Sequence, residues 1–276
     1  MIPKLFAFDL DGTLLDSDKR VRPANAAALR KIHESGATVA LASGRLGCGV
    51  RRYAPELGID PALVVLNGAE VYASSKPGAR RVYYAPLETS YAEYLIDYCR
   101  NKPVALNFYH DDKLYSAKTG KNTEWTELYR EQTGVSYNFV DKKFSAVADL
   151  PPSKMLLVGD EAYLDEQEAV FQAMWGESGD KSVYVCRTWS HYLEFMNPKA
   201  TKGIGLCALC DALGISMSEA AAYGDAENDI PMLTAVGYGT AMKNAEIAVK
   251  QAAGRVTEMT NDEDWVAKEW GGRYAV

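Results

Sequence analysis

At 276 residues the chain is long enough for two domains and a sizeable buried core. Its hydrophobic share of 47%, with 24% charged residues, is ordinary for a globular protein. A formal net charge of −7 excludes nucleic acid as a default partner, because phosphate contacts need a basic surface. No apolar run approaches the roughly 18 residues that a membrane helix requires. The N-terminus runs straight into an apolar strand pattern, which leaves no room for a signal peptide. Five scattered cysteines, an odd number, fit a reducing cytoplasm better than a disulfide framework.

The first predicted element is a buried strand through Phe6 and Phe8. It ends abruptly in Asp9-Leu10-Asp11-Gly12-Thr13. Side chains at i and i+2 share a strand face, so Asp9 and Asp11 are expected on one side. Open α/β sheets bind their ligands beyond the C-terminal ends of such strands. A plain surface turn is the alternative, since Asp and Gly favour turns, but the approach to this one is almost wholly apolar. Pro23 then opens a helix that runs through Ala24–Glu34 to a stop at Gly36. Thr38–Ala42 is a second buried strand, ending in Ser43-Gly44-Arg45, and a helix is expected from there to about Leu57, closed by Gly58. Val64-Val65-Leu66 leads into Asn67-Gly68, a hairpin signal between apolar runs. Strand, helix, strand, helix, strand is the rhythm of a parallel, doubly wound sheet.

That rhythm breaks near residue 84. Leu87–Arg100 reads as a helix, with Tyr91, Tyr94, Leu95 and Tyr98 at helical spacing. Val104–Tyr109 and Lys113–Ala117 flank His110-Asp111-Asp112 as an antiparallel hairpin. A helix over about Asn122–Gln132, strands at Tyr137–Val140 and Lys154–Val158, a helix over Leu164–Met174 and strands at Ser182–Arg187 and His191–Met196 follow. Antiparallel strands with helices on one side make an α+β module.

From about residue 198 the α/β rhythm resumes. A helix runs from Lys202-Gly203 to Gly214, and Ala220–Tyr223 is a buried strand that ends in Gly224-Asp225-Ala226-Glu227-Asn228-Asp229. A helix through Leu233, a strand at Tyr238–Met242, a helix from Asn244 and a strand at Arg255–Met259 complete the core. The predicted fold is α/β: a Rossmann-like parallel-sheet core of residues 1–84 and 198–276, with an α+β cap of residues 85–197 inserted into it.

Four stretches stand at predicted strand ends or beside them: Asp9–Thr13, Ser43-Gly44-Arg45, Lys202 and Gly224–Asp229. In this order, around an insert of this size, they resemble the haloacid dehalogenase-like phosphatases, specifically the Cof-type branch with an inserted α/β cap. The resemblance spans essentially the whole chain and includes Asn67-Gly68 and Met242-Lys243-Asn244-Ala245. It implies an Mg²⁺-dependent phosphatase acting on a small phosphorylated metabolite, with sugar phosphates the favoured class.

The residue types suit that chemistry. A carboxylate can attack phosphorus and form an aspartyl-phosphate, which makes Asp9 the expected nucleophile. Mg²⁺ suits an all-oxygen site, with Asp9 and Asp225 as acidic ligands, and the resemblance adds the backbone carbonyl of Asp11. Lys202 offers a point charge to the phosphate. Ser43 and the Gly44 amide, at a strand end leading into a helix, form an expected anion site, joined by resemblance by the backbone of Leu10. Asp11 can protonate the departing alcohol and then activate water. By resemblance, phosphatases and sugar mutases carry Asp there, whereas the ion-pumping ATPases of the superfamily carry Thr. Asp225, Asn228 and Asp229 fall at i, i+3 and i+4. They are assigned to metal, to phosphate, and to metal-bound water or the orientation of Lys202, with Asn67 and Asn244 in support.

Other readings stay open at this level. Asp225 could be a helix N-cap, and Lys202 a solvated lysine with Lys199 as its rival. Arg45 could contact substrate or close the site. Cys207 and Cys210 have C-x-x-C spacing, but they lack a second pair and read as buried helix cysteines. His33, His110 and His191 match no metal or triad spacing, and Tyr109 and Tyr115 read as packing. A phosphosugar mutase and a non-catalytic binding protein on the same fold are the alternative functions. The partner expected is a small metabolite, with neither nucleic acid nor membrane.

Overall fold

The computed structural model describes residues 2–118 and 122–273. Residues 1, 119–121 and 274–276, which the expected domains include, lie outside the described residues. The chain divides into two compact units, Met1–Tyr84 with Ala200–Val276, and Ala85–Lys199.

The first unit starts with β1 (Leu5–Asp9), α1 (Pro23–Glu34) and β2 (Thr38–Ala42). The single helix expected up to Leu57 is instead two, α2 (Gly47–Arg51) and α3 (Ala54–Leu57). Pro55 explains the break: it has no N–H, and its ring would clash with the carbonyl four residues earlier. Gly58 closes α3 in the left-handed conformation. β3 (Ala62–Val65) then turns back into β4 (Glu70–Tyr72), followed by β5 (Arg81–Tyr84). The β3–β4 connection is antiparallel, with Val65 opposite Glu70, so the loop spans Leu66–Ala69 and is longer than a two-residue turn.

The second unit comprises α4 (Thr89–Cys99), β6 (Ala105–His110), β7 (Lys113–Ala117), α5 (Thr123–Thr133), β8 (Tyr137–Val140), β9 (Lys154–Val158), α6 (Glu161–Met174), β10 (Tyr184–Trp189) and β11 (Tyr192–Met196). Its six strands form one sheet in the order β10-β11-β9-β6-β7-β8. Asp111 and Asp112 both take positive φ in the two-residue β6–β7 turn, as the type I′ geometry demands. The expectation of purely antiparallel strands is corrected at one edge, where β8 pairs parallel to β7 because α5 carries the chain back as a crossover.

The first unit resumes with α7 (Lys202–Leu213), β12 (Ala220–Gly224), α8 (Ile230–Ala235), β13 (Tyr238–Ala241), α9 (Ile247–Ala252), β14 (Arg255–Val256) and α10 (Trp265–Trp270). Its sheet runs β14-β13-β12-β1-β2-β3-β4-β5, parallel from β14 to β3 and antiparallel beyond. β1 lies between β12 and β2, so the direction of winding reverses there, and such switch points open a crevice at the strand ends.

Helix α10 was not foreseen and matters to the site. Trp265 and Trp270 join Phe6, Phe8 and Tyr223 in an aromatic cluster, with Phe8 stacked on Tyr223 at 5.3 Å and Trp265 at 4.7 Å from Tyr223. Asn25 of α1 caps α10, accepting from the amides of Val266 and Ala267. Phe6 and Phe8 alternate with Leu5, Ala7 and Asp9, so this aromatic face leaves Asp9 on the other side of the sheet. One cysteine expectation is corrected: Cys210 is buried, whereas Cys207 is exposed beside Asp211. Among the described residues, no helix is long and apolar enough to cross a membrane.

Candidate active site

Asp9 is the last residue of β1, Ser43 follows β2 directly and Asp225 follows β12 directly, which brings all three to one edge of the sheet. Lys202 sits at the first turn of α7 and is only 1% exposed. Its Nζ donates to Asp9 Oδ1 and to Asp229 Oδ1, both at 2.6 Å. That overturns the solvated-lysine alternative. α7 comes this close because Gly68 has no side chain: a Cβ there would lie 2.2 Å from the Thr201 carbonyl, at a φ of +93°.

Asp229 is fully buried, and its Oδ2 accepts from the backbone amides of Asp225 and Ala226 at 3.0 and 3.1 Å. The carboxylate thereby fixes both the loop after β12 and the lysine. Asp225 is no N-cap, since the chain enters α8 through a short 3-10 turn, Glu227–Asp229. Its Oδ1 instead accepts from Thr13 Oγ1 at 2.7 Å. Thr13 is fully buried, and its carbonyl accepts from the indole of Trp265 at 3.0 Å. Gly12 is required beside it, because a Cβ there would fall 2.3 Å from Asp225 Oδ2.

Asp9, Asp225 and Asp229 bring one carboxylate oxygen each within 4.8 Å of one another. Burial pushes Asp9 up, Lys202 draws it down, and Asp229 and Asp225 push it up again, so it stands well above the usual carboxylate range. Burial likewise raises Asp225 to about 6, with Thr13 and Lys202 opposing and Asp229 and Asp11 reinforcing. Lys202 loses charge stability through burial, but Asp9 and Asp229 more than restore it and hold its pKa above the ordinary value. With all three carboxylates ionised, the one ammonium leaves two negative charges at close quarters, which is why the cation-free site holds protons so strongly. An all-oxygen donor set with that deficit fits a divalent cation such as Mg²⁺.

A pH-dependent consequence follows for the cation-free protein. A carboxylate whose folded pKa is raised keeps its proton longer in the folded state. Folding stability therefore falls as pH rises from about 4 to about 6, by on the order of 1–3 kcal/mol for Asp225. In EDTA, Asp225→Asn should melt higher than wild type at pH 7, and the gap should close towards pH 4. A constant gap across that range would contradict the burial argument.

Asp11 is placed differently from the strand-based expectation. β1 ends at Asp9, so the alternation that would pair the two aspartates stops there. Asp11 is held by the Arg45 fork, Nε to Oδ2 at 2.8 Å and Nη2 to Oδ1 at 2.6 Å, and by Lys19 Nζ at 2.9 Å. Burial pushes its carboxyl up, but the hydrogen bonds and charges of Arg45 and Lys19 outweigh that and hold it below the usual value. Arg45, expected among the phosphate contacts, has its fork on Asp11 here and also donates to the Tyr53 hydroxyl at 3.2 Å.

Ser43 is buried, and its Oγ accepts from the Arg45 amide at 3.2 Å. The expected helix start at Ser43-Gly44 is corrected, because α2 begins only at Gly47, after an extended Leu46. Gly47 and Gly49 are weak helix formers, so the loop 43–46, where the anion site is expected, has no helix directly behind it. Asn67, at φ +55°, ties the loops together: its amide donates to the Ser43 carbonyl at 3.0 Å, and its Oδ1 accepts from Asn228 Nδ2 at 2.9 Å. Asn244 Nδ2 holds the Gly12 carbonyl at 2.7 Å. Thr13, Lys19 and Trp265 were missed. Thr13 was visible in the Asp9–Thr13 stretch, but nothing local links Trp265 to it.

Comparison with known proteins places this arrangement. The family model for haloacid dehalogenase-like hydrolases matches residues 6–269. Phosphatase YwpJ of Bacillus subtilis is 29% identical over 286 residues, covering 96% of this chain and 97% of its own. The HMP-PP phosphatase of Cronobacter sakazakii is 29% identical over 242 residues, covering 88% and 85%. The crystal structure of a haloacid dehalogenase-like hydrolase from Bacteroides thetaiotaomicron superposes with a TM-score of 0.86 at 27% identity, over 98% of this chain and 99% of that one. The chain belongs to the haloacid dehalogenase-like hydrolases.

Proposed function

We propose that the chain is a phosphatase that hydrolyses a small phosphorylated metabolite, a sugar phosphate in the first instance, through an aspartyl-phosphate on Asp9. The observation that carries this reading is the buried Lys202 ammonium bridging Asp9 and Asp229 beside Asp225. Lys202 takes one oxygen of Asp9 and so orients the other for attack on phosphorus. As that bond forms, the ester P–O bond breaks, and the departing alkoxide takes a proton from Asp11. Asp11 then accepts a proton from water, whose oxygen attacks the aspartyl-phosphate, freeing Asp9 and inorganic phosphate. The Arg45 and Lys19 contacts favour the ionised form of Asp11, which suits the water-activating step; the protonating step requires that grip to loosen. Ser43, the amides of Leu10 and Gly44, and Asn228 are the groups assigned to the phosphoryl oxygens. Mg²⁺ held by Asp9, Asp225 and Asp229, with the Asp11 carbonyl, would offset the repulsion between a carboxylate nucleophile and a phosphate dianion.

The phosphatase names of the relatives favour hydrolysis over a phosphosugar mutase reaction. Five free cysteines support a reducing cytoplasm as the place of work. The inserted unit, residues 85–199, is assigned substrate selection. The test is release of inorganic phosphate from p-nitrophenyl phosphate and a panel of sugar phosphates, with isomer formation followed in parallel. Exhaustive EDTA should stop the release and Mg²⁺ should restore it, with Ca²⁺ a poor substitute because its coordination is larger and looser. Full activity after chelation would remove the metal from the reading, and isomer without phosphate would turn it into a mutase.

A further inference from the structure

Between β1 and α1 the chain forms a strap, residues 12–22, anchored by the buried side chains of Leu14, Leu15 and Val21. Its tip, residues 17–20, is exposed. Asp16 closes the tip into a turn. Its Oδ1 accepts from the amides of Asp18 and Arg20, both at 3.0 Å, and its carbonyl accepts from the Lys19 amide at 2.9 Å. A turn closed in this way moves as one piece, so whatever holds one of its residues also places Lys19. Among the described residues, two side chains outside the strap take hydrogen bonds from the tip. Asp262 accepts from the Ser17 amide at 2.7 Å and from the Ser17 hydroxyl at 2.8 Å. Asp11 Oδ1 accepts from Lys19 Nζ at 2.9 Å.

Asp262 is a fixed post, because its neighbours are tied down on both sides. Asn261 donates from Nδ2 to the Leu15 carbonyl at 2.9 Å and from its amide to Asn244 Oδ1 at 3.2 Å. Asp264 accepts from Arg22 Nε at 2.7 Å. The Ser17 amide, and after it the Ser17 hydroxyl, hold the Asp262 carboxyl below the usual range, as charge-assisted hydrogen bonds do. At the other end of the tip, the Asp11 carboxylate offers about four acceptor sites, two on each oxygen. Its Oδ1 accepts from Lys19 Nζ and from Arg45 Nη2, and its Oδ2 accepts from Arg45 Nε. The site left over lies on Oδ2. Without Lys19 a second site would open on Oδ1, and neither oxygen would be singled out.

We propose that Asp262 is a positioning residue for the water-activating step, acting through Ser17 and Lys19. It holds the strap tip so that Lys19 occupies Asp11 Oδ1 and the proton from water goes to Oδ2. In that step the water oxygen bonds to phosphorus and the bond from phosphorus to Asp9 breaks. The electron pair of that bond returns to the Asp9 carboxylate, and one water proton passes to Asp11 Oδ2. The inference rests on the phosphatase reading for the step itself, whereas the grip of Asp262 on the strap stands apart from it.

Hydrogen exchange, steady-state rates on p-nitrophenyl phosphate with Mg²⁺, and acid-quench labelling test it on the full chain. Asp262→Ala should speed amide exchange across residues 17–20 by about threefold or more. It should lower kcat about fivefold or more and KM in proportion, leaving kcat/KM within about twofold. The split arises because kcat/KM ends at the first irreversible step, and water attack comes after it. The share of protein phosphorylated on Asp9 at saturating substrate should rise as kcat falls. Asp262→Asn should keep most of the rate, since its amide oxygen accepts the Ser17 N–H and its NH₂ group donates to the Ser17 hydroxyl. Lys19→Met should show the same split, and adding Asp262→Ala to it should change kcat by less than about twofold, because the two residues act in series. If Asp262→Ala does not fold, Ser17→Ala takes its place, with the same split and exchange gain at smaller size. Equal losses of kcat and kcat/KM, an unchanged kcat, no recovery by asparagine, or additive effects of the two substitutions would overturn the proposal. Unchanged strap exchange beside a normal wild-type rate would overturn the grip and leave the phosphatase reading standing. A wild type that releases no phosphate would end that reading, and the water-activating role with it, even where the exchange gain shows the grip.

Discussion

Asp9→Asn should cut turnover by about a thousandfold or more while the chain stays folded. The amide is nearly isosteric with the carboxylate, but it carries no anionic oxygen to attack phosphorus. The surroundings tolerate the change. Asp9 is 6% exposed, and burial already holds its carboxyl above the usual range, so a neutral group there relieves repulsion from Asp225 and Asp229. Lys202 keeps its second bond, to Asp229. Circular dichroism and melting should therefore match the wild type or exceed it in EDTA. Wild-type protein quenched in acid during turnover should carry a phosphoryl adduct on the peptide containing Asp9, and the variant should not. Activity near wild type in the folded variant would remove Asp9 as nucleophile and leave the acidic cluster as a binding site only.

Much of the site was legible because strand ends are legible. Apolar runs with Phe6 and Phe8, with Val39 and Leu41, and with Ala220–Tyr223 each stop at a polar turn, and parallel pairing carries those turns to one edge. What escaped depends on contacts between residues far apart in the chain. Trp265 supports the Thr13 carbonyl across 252 positions, and no local pattern encodes that pairing. Asp11 was expected beside Asp9 on strand periodicity alone, but periodicity ends with the strand, and Arg45 and Lys19 decide where its carboxylate rests. Helix expectations failed where backbone chemistry competes with pattern: at Pro55, and at Gly47 and Gly49. Tyr109 packs as expected, at 1% exposure, and its strand alternates correctly, but alternation alone cannot tell a solvated face from a covered one.

Lys202→Met should have an effect of comparable size on the rate and a much larger one on stability. Methionine fills nearly the same volume in the buried site but donates nothing. Asp9 and Asp229 then lose the ammonium that each holds at 2.6 Å. Removing one partner of a buried ion pair typically costs about 3–5 kcal/mol, because the remaining charge is left uncompensated. Here two carboxylates are stranded, with Asp225 adding its repulsion, so the cluster must take up protons to stay folded. The sign follows from raised folded pKa values: the penalty is absent at low pH, where folded and unfolded carboxylates are both protonated, and grows as pH rises. In EDTA the variant should therefore approach wild-type stability near pH 4 and fall away above pH 6. Mg²⁺ should recover a larger share of stability in Lys202→Met than it adds to the wild type, since a divalent cation would answer the same charge deficit. It should not recover the rate, because no ammonium then fixes Asp9 or meets the phosphate, and a loss of about a thousandfold is expected. Thermal melts from pH 4 to 8, with and without Mg²⁺, and phosphate release in parallel would read both effects. A stability loss independent of pH would show that Lys202 acts by packing, and rate recovery by Mg²⁺ would show that its charge is interchangeable with the metal's.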